Sequence, residues 1–260
     1  MKFTDTEFMI CLAARSMEDS STAFVGYGMP QIAAILAQRL YAPDLVQVYE
    51  YGAIGPDVAT PFRRNMMADA RNSRRSFAWT SMNWTLAYAA AGFIDYGILG
   101  AAQLDPYGNI NSTMIGGTYE RPKIRFTGSG GGNEVASLCW RTILLAEHEK
   151  RRFVPKLDFM TSPGYLDGSP DAREEAGLPR DTGPYRVITS LAMYDFDPES
   201  HRMRIAGVRE GQTVDSIKEQ MLFEPLVAPT VETLAPPTDD ELRVLREDID
   251  PDRVVLGRPE

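Results

Sequence analysis

Arg125 to Ala136 reads R-F-T-G-S-G-G-G-N-E-V-A, a strand-like run that opens into four glycines and a serine and then into a helical pattern. A glycine-rich passage from strand to helix belongs to an α/β architecture. It also leaves several backbone N–H groups exposed at a helix start, where they hold a negative oxygen without any cationic side chain. Two nucleotide-binding meanings are excluded. A dinucleotide fingerprint needs a third glycine where Asn133 stands, with an early strand–helix–strand unit around it, and a phosphate-binding loop needs a following Gly-Lys-Ser/Thr.

A second stretch gives this loop a chemical partner. Tyr41 to Asp57 begins with an Ala-Pro-Asp turn and runs through the β-favouring residues Leu45, Val46, Val48 and Tyr49. It stops at Glu50, because Tyr51-Gly52 and then Gly55-Pro56 cannot continue a strand. Glu50 is therefore expected at a strand end, the edge of an α/β sheet where ligands bind. A lone glutamate at a strand end is usually solvated or capping. Together with an anion cradle, however, a carboxylate nucleophile makes a workable acyl-transfer site.

Composition narrows the partners. The 260 residues are 43% hydrophobic, enough for one sizeable domain, expected to span residues 1–260. The net charge of −9 argues against nucleic acid or an anionic membrane surface, which demand clustered Lys and Arg. Cys11 and Cys139 sit in apolar runs without metal-ligand spacing, so inert thiols in a reducing compartment are expected, and no metal. Neither a signal peptide nor a membrane span is read, and the expected location is the cytoplasm.

Local signals place the remaining elements. Thr4 to Glu7 has capping-box spacing before a helix over 5–18, Thr22 to Val25 reads as a strand, and Pro30 opens a helix through Leu40. The Gly26 to Pro30 turn between them is a weak candidate for an anionic ligand. Pro61 to Ser76 is a polar stretch with Arg63, Arg64, Arg71, Arg74 and Arg75, read first as a solvated face and second as a grip for phosphates. Asn83 to Ala91 is expected to bury Trp84, Leu86, Ala87 and Ala90 as one stripe. Ile94 to Leu99 and Arg141 to Ala146 read as strands, and Asp105 to Thr113 as a turn whose asparagines hold their own backbone, Asn111 being a weaker substrate candidate. His148 and His201 read as surface or ion-paired residues. Tyr185 to Phe196 and Arg202 to Val208 form an antiparallel hairpin, and Thr213 to Met221 and Thr238 to Glu247 are closing helices around a proline-bearing link, 224–237.

The chain resembles the family I CoA-transferases, specifically their B (β) subunits of the glutaconate CoA-transferase type. The resemblance is carried by R-L-Y-A-P-D before Glu50, A-A-Q-L-D-P-Y-G-N-I-N-S-T (101–113), R-P-K-I-R-F-T-G-S-G-G (121–131), H-E-K-R-R-F (148–153) and T-S-P-G-Y (161–165). It implies the CoA-transferase fold, an open and mainly parallel sheet flanked by helices with a C-terminal antiparallel hairpin. It also implies that Glu50 is the nucleophile and that Gly130, Gly131, Gly132 and Asn133 form the oxyanion and CoA-binding set against the thioester carbonyl. No cofactor is implied, since the coenzyme A thioester is a substrate. An A (α) subunit is the implied partner in a heterotetramer or larger assembly. CoA-ester hydrolysis or decarboxylation on the same fold, or a non-catalytic CoA-binding subunit, are the alternatives. The family's Ser-Gly or Asn-Gly after the glutamate is here Tyr51-Gly52, a departure that bears on the acid accepted.

Overall fold

The computed structural model describes residues 2–64 and 67–257. The chain divides into two compact units, one built from residues 1–98 with 236–260 and the other from 99–235. Elements of both kinds alternate in the α/β manner expected.

In the first unit, α1 (Asp5–Arg15) starts at the expected capping box: Glu7 N donates to Thr4 Oγ1 at 3.2 Å and Thr4 N to Glu7 Oε2 at 2.8 Å. It ends three residues earlier than expected, where Ser16 turns its hydroxyl back onto the Leu12 carbonyl. Phe8 through Ala14 are all buried, so α1 is a core helix without a wet side. Next come β1 (Thr22–Val25), α2 (Met29–Leu40, with Pro30 in its first turn) and β2 (Val46–Val48). The chain then reverses into β3 (Ala53–Ile54) and β4 (Ala78–Trp79), continues through α3 (Met82–Ala90), and reaches β5 (Tyr96–Gly100), within which the unit ends. Strand β1 lies between β5 and β2, parallel to both, and β3 and β4 follow β2 antiparallel. Ala23, Phe24 and Val25 are accordingly buried, as a parallel central strand requires.

Helix α3 corrects one expectation. Thr85 and Ala89 face inward, whereas Trp84 is 60% exposed and Leu86, Ala87 and Ala90 form no buried stripe. The cause is polar: the fully buried Thr85 hydroxyl reaches the carbonyls of Met82 and Glu50. That bond selects one face of a helix whose apolar residues point all round.

The second unit opens with two small antiparallel pairs, β6 (Gln103–Leu104) with β7 (Ile110–Asn111) and β8 (Met114–Gly117) with β9 (Pro122–Arg125). Then follow α4 (Gly132–Leu138), β10 (Arg141–Leu145), α5 (Ala172–Glu175), β11 (Gly183–Ile188), β12 (Ala192–Phe196), β13 (Met203–Arg209), α6 (Val214–Lys218) and β14 (Leu226–Leu234). Strands β10 to β14 lie side by side in chain order, with β10 and β11 parallel, β12 and β13 an antiparallel hairpin, and β14 parallel to β13; the arm expected over Tyr185 to Phe196 is split, its first residues lying in β11, which pairs antiparallel with β12. Strand β14 occupies what reads in the sequence as a proline-bearing link. It tolerates Pro229 because the ladder is interrupted there, resuming only at Glu232. Leu104, Ile110, Leu144, Phe153, Val187, Tyr194 and Ile205 form the core.

His148 belongs to that core, contrary to the surface position expected. It stacks parallel to Tyr194 and beside Phe153, with Nδ1 3.2 Å from Thr189 Oγ1. Its neighbours Glu147, Glu149, Arg151 and Arg152 pair among themselves in ion pairs of 2.9 Å, which leaves the imidazole alone to turn inward.

The chain returns to the first unit with α7 (Asp239–Arg243), which widens into a π turn over Val244–Ile249. Asp250 is fully buried and accepts the amides of Val254, Val255 and Leu256 at 2.8–3.0 Å, so the last described turn is wound around one carboxylate. No helix of the described residues is long and apolar enough to cross a membrane.

Candidate active site

Glu50 stands two residues after the end of β2 and forms a tight reversal with Tyr51. Gly52 N donates to the Tyr49 carbonyl at 2.9 Å, and Tyr49 N donates to Ala53 O at 2.9 Å. Every neighbour of the glutamate is fixed. Tyr49 is fully buried and donates its hydroxyl to Gln47 Oε1 at 2.8 Å; the Glu50 carbonyl accepts the Thr85 hydroxyl at 3.0 Å. Gly52 has φ +118°, and a Cβ there would stand 1.9 Å from the Thr80 carbonyl oxygen, so only glycine lets the two segments approach. The Glu50 side chain itself is half-buried at the tip of this turn. A carboxylate so mounted has little backbone freedom left to lose. Tyr51 packs its ring against Tyr49 and Trp79, with centroids at 5.7 and 6.0 Å, and burial pushes its phenol up to about 12.

The glycine loop lies in the second unit and is held by two other segments of that unit. Phe126 N and Gly128 N donate to the carbonyls of Thr113 and Ser112, and Gly132 N closes a turn on Ser129 O at 2.8 Å. Gly128 and Gly130 take φ +90° and +49°. Among the described residues the amides of Gly130 and Gly131 meet no protein acceptor, as expected where a loop enters a helix without a side-chain cap. Asn133 donates from Nδ2 to Thr161 O at 3.0 Å. Thr161 in turn accepts Ser112 N at 2.8 Å and shares a 2.8 Å bond with the Thr113 hydroxyl, and Ile110 exchanges backbone bonds with Thr161 and Ser162. The segments 110–113, 126–133 and 161–164 are therefore one hydrogen-bonded frame. Sequence reasoning singled out the glycines but missed Thr161, because a threonine in a turn carries no chemical signal of its own.

Asn111 serves this frame too. Its Oδ1 accepts Thr113 N and Met114 N, and its Nδ2 donates to Gln103 Oε1 and Met114 O. All of those are internal bonds, as expected of a turn-holding asparagine. Asp105 and Asn109 repeat the device: Asp105 takes the amides of Tyr107 and Asn109, while Asn109 Oδ1 takes Gly164 N at 2.7 Å and Leu166 N at 3.1 Å. Burial raises the Asp105 pKa, and these donors oppose the rise.

The arginine-rich stretch is largely spent inside its own unit. Arg74 reaches Asp57 at 2.5 Å and Arg75 reaches it at 3.7 Å, Arg63 pairs with Asp252, and Arg71 donates to Pro61 O. His201 is half-buried, stacked on Tyr165 with centroids 4.5 Å apart. Cys11 and Cys139 are buried and form no disulfide, and burial pushes the Cys11 thiol far up. No cluster of three metal-ligating side chains occurs among the described residues.

Residues 6–220 match the model of the coenzyme A transferase family. The chain is 35% identical to the B subunit of glutaconate CoA-transferase from Acidaminococcus fermentans over 99% of its own length and 96% of the relative's. It is 34% identical to the B subunit of 3-oxoadipate CoA-transferase from Pseudomonas knackmussii, with 94% and 92% covered. A third relative, the cholesterol ring-cleaving hydrolase IpdB subunit of Mycobacterium bovis, is 33% identical over 59% of the chain and 60% of the relative. The crystal structure of the A. fermentans glutaconate coenzyme A-transferase superposes with a TM-score of 0.91 at 33% identity, covering 99% of both chains.

Proposed function

The chain belongs to the coenzyme A transferase family, and on that footing we propose that it is the B-type, glutamate-bearing subunit of an enzyme moving coenzyme A from an acyl-CoA to a carboxylic acid. The observation that carries this reading is Glu50, a carboxylate mounted on a turn in which the residues on either side are locked.

In the proposed double displacement, a Glu50 carboxylate oxygen attacks the thioester carbonyl carbon. The N–H groups of Gly130 and Gly131, which meet no protein acceptor among the described residues, receive the developing oxyanion, and collapse expels the CoA thiolate to leave an acyl-glutamyl anhydride. The thiolate then attacks the glutamyl carbonyl of that anhydride, giving a glutamyl-CoA thioester and the free donor acid. The acceptor carboxylate reverses both steps, so Glu50 is regenerated and the thioester bond is conserved. A carboxylate suits this task where a serine does not, because an anhydride keeps the acyl group activated while an ester loses part of its free energy. The intermediate survives only where water is excluded. The partner supported by the relatives' names is an A subunit, and the unit bearing Glu50 offers it an apolar surface: Phe77, Trp79, Met82, Trp84 and Phe93 are all exposed.

Glu50→Gln, co-expressed with the A subunit, is expected to assemble normally and to lose transfer by at least about 10³-fold, as for removal of a nucleophile. Transfer at near wild-type rate would overturn the assignment. Hydroxylamine or borohydride treatment after incubation with acyl-CoA is expected to modify Glu50 in the wild type. One relative is named a ring-cleaving hydrolase, so hydrolysis occurs among the chain's relatives; were this chain to hydrolyse CoA esters, the same assay would release free CoA with no acceptor acid consumed.

A further inference from the structure

Arg173, on α5, is 7% exposed, and among the described residues no carboxylate pairs with it. Its guanidinium is committed to main chain and one hydroxyl: one terminal nitrogen donates to Gly164 O at 2.6 Å, the other to Ser137 O at 3.0 Å, Ala136 O at 3.3 Å and Thr182 Oγ1 at 2.7 Å. Ala136 and Ser137 lie in the last turn of α4, whose carbonyls have no intrahelical partner, and a cation there also complements the helix dipole. Burial pulls the guanidinium pKa down to about 10, which marks how unfavourable the position is for a charge without a counter-ion. The far end of the same helix carries the glycine loop, and it is tied by Asn133 to Thr161 O. Both ends of α4 are therefore fastened to the single turn 161–164, one by an amide and one by a guanidinium.

We propose that Arg173 is a positioning residue for the glycine loop: by gathering the C-terminal carbonyls of α4 and the carbonyl of Gly164 on one planar fork, it fixes the direction in which the Gly130 to Asn133 amides point. The inference rests on the acyl-transfer reading above. A lysine cannot substitute fully, because a single ammonium has no rigid fork to span acceptors on three segments.

The test uses Arg173→Met and Arg173→Lys, each co-expressed with the A subunit. Turnover by Arg173→Met is expected to fall about 10- to 100-fold, the effect of a small misplacement of reacting groups, with the acyl-CoA KM within about twofold and Arg173→Lys recovering part of the loss. Hydrogen exchange at the bonded amides of Gly128, Gly132 and Val135 is expected to accelerate in Arg173→Met while that of β11 stays unchanged. Unchanged turnover in a folded Arg173→Met, or failure of both variants to fold, overturns the proposal, since Arg173 would then serve the fold alone. If the wild type transfers nothing yet the exchange result holds, the functional reading falls and the positioning role stands.

Discussion

Two residues show how a side chain's surroundings decide its chemistry. Glu50 is kept usable by what its neighbours give up: Tyr49 is buried and hydrogen-bonded, Thr85 spends its hydroxyl on the Glu50 carbonyl, and Gly52 has no side chain. His148 is the opposite case, an ionisable group packed where ionisation is penalised. Burial lowers its pKa below the ordinary value, and only its weak approach to the Ile217 carbonyl opposes this. Unfolded, it takes up a proton at about pH 6.5. Between that value and the lower folded one the unfolded chain binds the extra proton, so stability is full above about pH 6.5 and declines as pH falls. Thermal melts from pH 7.5 to 5.5 are expected to show a drop in Tm that is smaller in His148→Gln. An equal drop in both would assign the dependence elsewhere. In the sequence, Glu50 was legible because a turn interrupts a β-rich run. His148 was not, since its inward turn depends on four charged neighbours satisfying one another.

Among the elements, α1 and α7 are joined by a reciprocal clasp. Each opens with a capping box whose glutamate is fully buried, Glu7 in α1 and Glu241 in α7. Each glutamate is then gripped by an arginine from the other end of the chain. Arg246 forks onto Glu7 with two 2.8 Å bonds, and Arg15 forks onto Glu241 at 2.8 and 2.5 Å, where Tyr41 adds its hydroxyl at 2.7 Å. Burial raises both carboxyl pKa values, but the arginine bonds and capping amides outweigh it and hold both below the ordinary range. Their contribution is therefore present at neutral pH and lost as pH falls through the carboxylate range. Arg15→Ala is expected to cost roughly 2–3 kcal/mol in urea unfolding, less than a fully buried pair because the Arg15 side chain remains 23% exposed. A cost below about 0.5 kcal/mol would show the clasp to be ornamental. The capping boxes, and with them α1, α2 and β1, were legible because their signals lie within a few residues. The clasp was not, for its partners are more than 200 positions apart. The two-residue strands β3 and β4 were equally hidden, being defined only by the chain that pairs with them.

At the scale of the whole molecule, the exposed side chains Phe77 (68%), Trp79 (60%), Trp84 (60%) and Phe93 (66%) are too large and too close in the chain to be indifferent to water. Aromatic residues of this kind dominate interface energetics. Trp84→Glu is expected to weaken association with the proposed A subunit at least about tenfold while leaving the isolated chain's Tm within about 2 °C. Undiminished association, measured by analytical ultracentrifugation of the mixed subunits, would remove α3 from the interface. Here the sequence misled for an instructive reason. Trp84 reads as core in an apolar helix, and only the Thr85 hydroxyl bond discloses which side faces out.

The division of the chain has a consequence for its birth on the ribosome. Residues 99–235 are continuous and emerge together, whereas the unit that carries Glu50 is assembled from segments on either side of them and stays incomplete until residues beyond 235 are translated. Glu7 and Arg15 are made before that continuous stretch and wait for partners, Arg246 and Glu241, made after it. The later-emerging unit is thus the first able to finish folding, and the one that bears Glu50 closes only after the segment beyond residue 235 has followed.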